Sequence, residues 1–534
     1  MKKRGGGLFQ STLVVGALTL LSRVLGFVRD VVFARLFGAG PAMDAFLVAF
    51  KIPNFLRRLF AEGAFAQAFV PVFSEYRTRR TRAELQELTD RVCGTLAVVL
   101  FVVTAVGVVA APVLISMFAP GFVGREDQHA LATDLLRLTF PYLFFISLTA
   151  FAGGILNSYG RFSVPAVTPV LLNLALIVAA LWGAPHFTEP VTALAWGVFA
   201  AGVLQLLFQL PFLWRLKLLP RPRWGWRFEG VRRILRLMLP TLFGSSVAQI
   251  NLLLDTVIAS FLAVGSVSWL YYSDRLMEFP LGIFGIAMGT VILPALSRRH
   301  AEHNPRQFSR TLDWALRLSV LFGLPAAAGL MVLASPVLTT LFLSEVFTAH
   351  DVNMASLSLM AYAVGLPGFI LVKVLVPAFF ARQDTVTPVK IGVAAMFTNM
   401  ALNIAIVVPL VMAGFNAPHA GLALATSAAA WLNAGLLYLT LRRRDIYTPE
   451  AGWGAVWLRT VVALGVMAGL LVWGALAEPW VQWSVFERVT GLLGWVLAGA
   501  SVYLAVLWAS GLRPRHLRGP ADANTGAADE DRDA

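Results

Sequence analysis

A single cysteine, Cys93, stands in 534 residues, so no internal disulfide framework holds this chain. Charge is scarce: 13% of residues are Asp, Glu, Lys or Arg, against 58% hydrophobic. With a mean hydropathy of +0.73, that composition excludes a soluble domain and implies a polytopic membrane protein. Histidine is rare, at seven, and there is no HExxH and no glycine-rich phosphate loop. Asp384 near Arg382 is one acid, too few for metal-bound sugar-nucleotide chemistry, so the chain reads as a non-enzyme. Lys2, Lys3 and Arg4 precede an apolar run as in a signal peptide, but no small-residue cleavage site follows. The reading is an uncleaved first span.

What is present is a series of apolar windows of about 20 residues, long enough to cross a bilayer as helices. Fourteen are expected, centred on Leu20, Ala49, Phe101, Phe144, Leu174, Val203, Leu253, Phe284, Phe322, Gly368, Ala401, Ala429, Val466 and Leu497. The fold class is therefore an all-α polytopic membrane protein. Basic residues gather in alternate loops, at Arg77 to Arg82, Arg215 to Arg236, Arg298 to Arg310, Arg442 to Arg444 and Arg513 to Arg518. This alternation puts both termini and the even-numbered loops in the cytoplasm. It also accounts for most of the net charge of +14 without nucleic acid as a partner.

An internal repeat is legible. Ala66–Ser74 resembles Gly289–Ser297, with Pro71 and Pro294 separated by 223 residues. Arg161–Pro165 resembles Arg382–Pro388, and Pro165 and Pro388 are again 223 apart. Equal orientation makes these parallel repeats of six spans. The resulting division is an N-terminal lobe over 1–217, a basic cytoplasmic linker over 218–236 and a C-terminal lobe over 237–445. Spans thirteen and fourteen follow over 446–512, and 513–534 reads as a disordered cytoplasmic tail.

Polar residues inside the spans are the candidate site. Ser22, Arg23, Arg29 and Asp30 interrupt the first apolar run, where a central Arg costs roughly 2.5–3.5 kcal/mol. Arg23 and Asp30 are seven apart and share a helix face. Asp44, Lys51, Arg57 and Arg58 follow in span two. Span eight carries Ser268, Asp274, Arg275 and Glu278, and span ten carries Lys373. These residues either pair helices together, as Arg29 with Asp44 or Arg275 with Glu278, or line a hydrated cavity. Cations outnumber anions five to two in the first two spans, which favours a cavity that receives an anion. Prolines 141, 169, 240, 280, 325, 367 and 377 would bend their helices.

Asp255 in span seven, Asn399 and Asn403 in span eleven and Thr426 in span twelve offer hard oxygen ligands for a small cation. The competing reading is a protonated Asp255 bonded to an amide in the bundle core.

The stretches Ser22–Asp30, Met43–Phe46, Pro53–Phe65 and Trp269–Phe279 closely resemble the lipid II flippase family of peptidoglycan synthesis, MurJ, also called MviN. That family lies in the multidrug/oligosaccharidyl-lipid/polysaccharide exporter superfamily. The resemblance implies two six-helix lobes forming a V around a central cationic cavity, with spans thirteen and fourteen shaping a groove for a polyprenyl tail. It implies that lipid II, an undecaprenyl-diphosphate-linked disaccharide-pentapeptide, is flipped from the cytoplasmic to the periplasmic leaflet of the bacterial inner membrane by alternating access. Carried over by motif, Ser22, Arg23, Arg29, Asp44, Arg57, Arg58, Ser268, Asp274, Arg275 and Glu278 contact the substrate. No cofactor is required, and sodium is the candidate ion at Asp255, since some relatives hold one there. A monomer among membrane lipid and peptidoglycan synthesis proteins is expected. The rival reading is an exporter of another lipid-linked oligosaccharide or of drugs.

Overall fold

The computed structural model describes residues 4–59 and 65–513, and helix is the only extended regular structure among them. The tail over 514–534, predicted to be disordered, lies outside the described residues, as do Lys2, Lys3 and part of the Pro53–Phe65 motif.

In chain order the first nine helices are α1 (Arg4–Phe37), α2 (Pro41–Leu56), α3 (Ala66–Arg79), α4 (Arg82–Val109), α5 (Ala111–Phe118), α6 (Glu126–Thr139), α7 (Tyr142–Ser158), α8 (Ser163–Val178) and α9 (Thr192–Arg215). Then come α10 (Glu229–Ser260), α11 (Ser266–Ala301), α12 (Pro305–Val332), α13 (Ala334–Phe342), α14 (Ala349–Phe380), α15 (Val386–Met412), α16 (His419–Arg443), α17 (Trp453–Trp473) and α18 (Val485–Ala509). Among the described residues ten helical stretches are long and apolar enough to cross a membrane. They contain the expected centres from Phe101 to Val203 and from Phe322 to Leu497. Helices α1, α2, α10 and α11, which hold the other four centres, are not among the ten. They carry most of the polar residues singled out above. Pro141 does not bend a helix interior, since it stands at the break between α6 and α7.

The repeat persists at atomic detail. Thr81 caps α4 with Glu84 in a capping box, and Asn304, 223 residues on, caps α12 by accepting from the Gln307 N–H. Gly160 closes α7 with a left-handed φ of 73°, and Gln383 closes α14 with φ of 62° at the same offset. Each is followed by a five-residue reach-back, Arg161 N–H to the Leu156 carbonyl and Asp384 N–H to the Phe379 carbonyl. A glycine meets that conformation without strain, whereas the second half holds it with Gln383.

The chain forms two compact units. The first comprises residues 1–268 with Ser344–Phe347, and the second Trp269–Leu343 with residues 348–534. The repeat boundary assigns span seven to the C-terminal lobe, whereas α10 falls in the first unit, where Val231 and Ile234 join the core formed with α3, α4 and α7. In that core Phe65, Phe69 and Phe151 pack ring against ring. In the second unit α17 and α18 are not detached additions. They pack on α12 through Met467, Leu471 and Leu507, and the Tyr503 hydroxyl donates to the Leu321 carbonyl at 2.7 Å.

Asp90 on α4 and Asp313 on α12 are buried and again 223 apart. Each grips the segment that follows the last helix of its own repeat. Asp90 Oδ1 accepts from the Arg221 N–H at 2.8 Å, and the Asp90 carbonyl accepts from the Arg223 N–H at 3.0 Å. Asp313 Oδ1 accepts from the Tyr447 hydroxyl at 2.6 Å and from Trp453 Nε1 at 2.8 Å, while Arg317 Nε donates to Oδ2 at 2.7 Å. Burial and the bond to Asp313 push the Tyr447 phenol pKa upward, so it remains a donor at neutral pH. One clamp leads into α10 and the other into α17.

Candidate functional site

In the first unit α1 supplies a polar cluster that would be costly in a dry membrane, and the cluster is internally satisfied. Arg29 donates through Nε and Nη2 to Asp30 Oδ1, at 2.9 and 2.7 Å, and through Nη1 to Asn173 Oδ1 of α8 at 3.0 Å. Asn173 Nδ2 in turn donates to the Ser22 carbonyl at 2.9 Å. Asn173 thus ties the middle of α1 to the guanidinium about two turns further on. The expected pairing of Arg29 with Asp44 is not what holds either residue: Arg29 takes its chain neighbour, and Asp44 serves elsewhere.

Asp44, in the first turn of α2, is buried and faces the start of α11. Its oxygens accept from the Gly265 N–H at 2.7 Å, the Ser268 N–H at 2.9 Å and the Ser268 hydroxyl at 2.6 Å. These are donors that a helix leaves free at its N-terminus, so Asp44 caps α11 from a distance. Ser268 therefore acts here as Asp44's partner.

Arg23 differs from both. It is exposed, and it makes no ion pair or hydrogen bond to another described residue. Arg57 and Arg58 are half-buried, and Arg57 Nε donates to Asn54 Oδ1 at 2.9 Å. Lys51 donates to the hydroxyl of Thr256, next in the chain to Asp255. In the second unit the expected pair of Arg275 and Glu278 forms at 2.6 Å, with the guanidinium over the Tyr271 ring at 5.1 Å. Asp274 is half-buried on the same helix. Lys373 is exposed on α14 and has no ion pair among the described residues.

For the cation set, Asn399 Nδ2 donates to Thr426 Oγ1 at 3.2 Å, which brings α15 and α16 together, and Asn403 lies buried one turn away. Asn399 Oδ1 is buried without a hydrogen-bond donor. Asp255 belongs to the first unit.

Sequence reasoning missed Asn173, Asp90 and Asp313. A lone amide in the apolar run Val170–Ile177 is a signal in itself, because an intramembrane polar side chain needs a partner. The two aspartates sit at span entrances, where nothing in the local pattern separates a clamp from a solvated acid.

On α1 the arrangement offers an exposed arginine, Arg23, and a second one, Arg29, held by an acid and an amide. A planar fork of donors suits a phosphate or carboxylate group. A family model described as lipid II flippase MurJ matches residues 33–493. The chain is 47% identical over 521 residues to a probable lipid II flippase MurJ of Vibrio cholerae, covering 96% of this chain and 98% of that one. It is 42% identical to the lipid II flippase MurJ of Burkholderia cenocepacia, covering 96% and 99%. Among solved structures, lipid II flippase MurJ in an inward closed conformation superposes with a TM-score of 0.76 at 26% identity, covering 92% of this chain and 98% of that one. An inward-facing multidrug resistance MATE transporter of the MOP superfamily, at 16% identity and a TM-score of 0.63 with 81% and 97% coverage, shares the fold alone.

Proposed function

The chain belongs to the lipid II flippase MurJ family, and on that footing we propose that it carries lipid II from the cytoplasmic to the periplasmic leaflet of the inner membrane by alternating access. It is a transporter and not an enzyme. The observation that carries the reading to particular atoms is the exposed Arg23, unpaired among the described residues, on the same helix as the fixed Arg29. Arg23 binds the head-group diphosphate, and Arg29, held by Asp30 and Asn173, is the fixed guanidinium of the same helix. The polyprenyl tail stays in lipid. Arg57 and Arg58 in the first unit, and Asp274, Arg275, Glu278 and Lys373 in the second, are the further residues proposed to contact the substrate. Fourteen spans follow if α1, α2, α10 and α11 cross as well, their polar faces turned from lipid, with both termini cytoplasmic as the basic loops indicate. The protein acts as a monomer beside proteins of peptidoglycan synthesis.

The direct test is lipid II at the outer leaflet. Inactivating this protein as the sole copy in a cell removes lipid II from an externally added lipid II-binding probe, and wall synthesis stops. Unchanged exposure of lipid II on the outer face, with growth continuing, sinks the reading in favour of a dispensable drug exporter.

Helices α17 and α18 serve the lipid tail. At Gly465, Gly469 and Gly494 an added side chain meets open space, whereas at Gly499 it presses on Leu471 at 3.3 Å. Bulky substitutions at the first three positions are therefore expected to weaken binding of long-chain lipid II several-fold more than binding of a short-chain analogue. Gly499 substitution lowers stability instead. Equal losses for both lipids at Gly465 and Gly469 would assign these helices a purely structural role.

A sodium ion is proposed near Asn399 and Thr426. The open Asn399 oxygen and the neighbouring hydroxyl fit a small hard cation, and such an ion, when bound, supplies a fixed positive charge. Purified wild type is expected to melt several degrees higher in sodium than in potassium or choline. Loss of that difference in Asp255→Asn supports the full set, while its loss only in Asn399→Ala places the ion without Asp255. Equal melting of wild type in all three salts removes the site.

A further inference from the structure

Between α9 and α10 the chain runs as a non-helical strap over 218–228. We propose that this strap is a binding surface for anionic phospholipid head groups of the cytoplasmic leaflet. The proposal rests on the cytoplasmic placement of this segment given above.

The strap is fixed by its backbone. Gln86 Nε2 donates to the Leu219 carbonyl at 3.1 Å, Asp90 takes the Arg221 and Arg223 N–H groups, Arg91 Nη1 donates to the Trp224 carbonyl at 3.0 Å, and the Gly225 N–H donates to Thr95 Oγ1 at 3.1 Å. Two glycines permit the approach. A Cβ on Gly94 would lie 2.3 Å from the Arg223 backbone, and one on Gly225 would lie 2.6 Å from Arg91. With the backbone facing α4, the side chains of Arg221, Arg223 and Arg227 are exposed, and none has a carboxylate partner among the described residues. Trp224 and Trp226 stack on each other, 6.2 Å apart and 10° from parallel, and both are exposed.

Depth along α4 identifies the occupant. The strap crosses α4 from Asp90 to Thr95, and the exposed apolar surface of that helix begins at Val98 and continues through Phe101. Asp90 is thus about 12 Å, and Thr95 about 5 Å, short of the hydrocarbon at 1.5 Å per residue. The Gly225 end of the strap thus falls within the head-group layer, roughly 5–8 Å thick on each side of the core, and the Arg221 end lies just outside it. Indoles settle at this level, and arginines near the surface attract anionic lipid. A topology signal needs only the positive charge. It does not need an ordered backbone or a stacked pair of exposed indoles.

The test uses the full chain in detergent with mixed phosphatidylglycerol and phosphatidylcholine, counting retained lipids by native mass spectrometry. Wild type is expected to retain phosphatidylglycerol over phosphatidylcholine by about tenfold or more, and the triple variant R221Q/R223Q/R227Q to lose about tenfold of that preference. Trp224→Ala with Trp226→Ala lowers retention of phosphatidylglycerol several-fold with the charge intact. The comparison variant R306Q/R442Q/R443Q removes as much charge elsewhere and keeps the preference. No preference in wild type, or an equal loss in the comparison variant, overturns the site. No lipid II is present, so the outcome is independent of the transport reading. Labelling of Lys217→Cys by an impermeant reagent outside intact cells would overturn the cytoplasmic placement separately.

Discussion

Arg23→Ala abolishes transport and leaves the melting temperature of the purified protein within about a degree of wild type. Arg23 is exposed and bonds no other described residue, so its removal costs the fold nothing that the structure displays. Its loss falls on the substrate. Hydrogen bonds to charged groups contribute about 1.5–3 kcal/mol each, so lipid II affinity drops by roughly tenfold to a hundredfold for each bond lost. Arg29→Ala loses transport too, but its melting temperature falls, because buried Asp30 loses its ion pair and Asn173 loses an acceptor role. Arg29→Lys also fails, since one ammonium cannot reproduce the three donor nitrogens that reach Asp30 and Asn173. Asn173→Ala gives an intermediate loss of transport. The measurements are lipid II exposure in cells and thermal stability of the purified variants. A folded Arg23→Ala protein that supports normal growth as the sole copy would falsify the role of that residue.

The largest stability effect is expected at Asp313. Asp313→Ala leaves the Tyr447 hydroxyl and the Trp453 indole without their acceptor and Arg317 without its counter-charge. Breaking a buried charged network by removing one partner costs about 3–5 kcal/mol. The melting temperature should fall by on the order of 10 °C. Asp313→Asn keeps an oxygen for the two neutral donors and loses less. Hydrogen exchange should rise over 446–453, at the entry to α17, and the equivalent Asp90→Ala should raise it over 219–225. Protection unchanged in both variants would show that the clamps do not hold these segments.

Much of the molecule is legible before folding. Apolar windows place ten of the spans because bilayer thickness fixes the length of an apolar helix, and that is a local property. The 223-residue offset, read from two pairs of prolines, recurs in helix caps, left-handed closures and buried acids, because capping chemistry lies within four residues of the helix end. Intramembrane arginines mark, by their cost alone, positions that need a partner.

Partner choice is a different matter, and only the tertiary structure decided it. Sequence spacing allowed Arg29 to meet Asp44. The fold gave Arg29 to Asp30 and Asn173, and turned Asp44 into the cap of α11. Those contacts join residues 144 and 224 positions apart, beyond the reach of any helical period. The same holds for the two clamps and for α10, whose described core residues Val231 and Ile234 pack in the first unit although the repeat counts it in the second. A residue's type and period fix which face it occupies. Which donor completes a buried carboxylate depends on the helix that packing brings beside it.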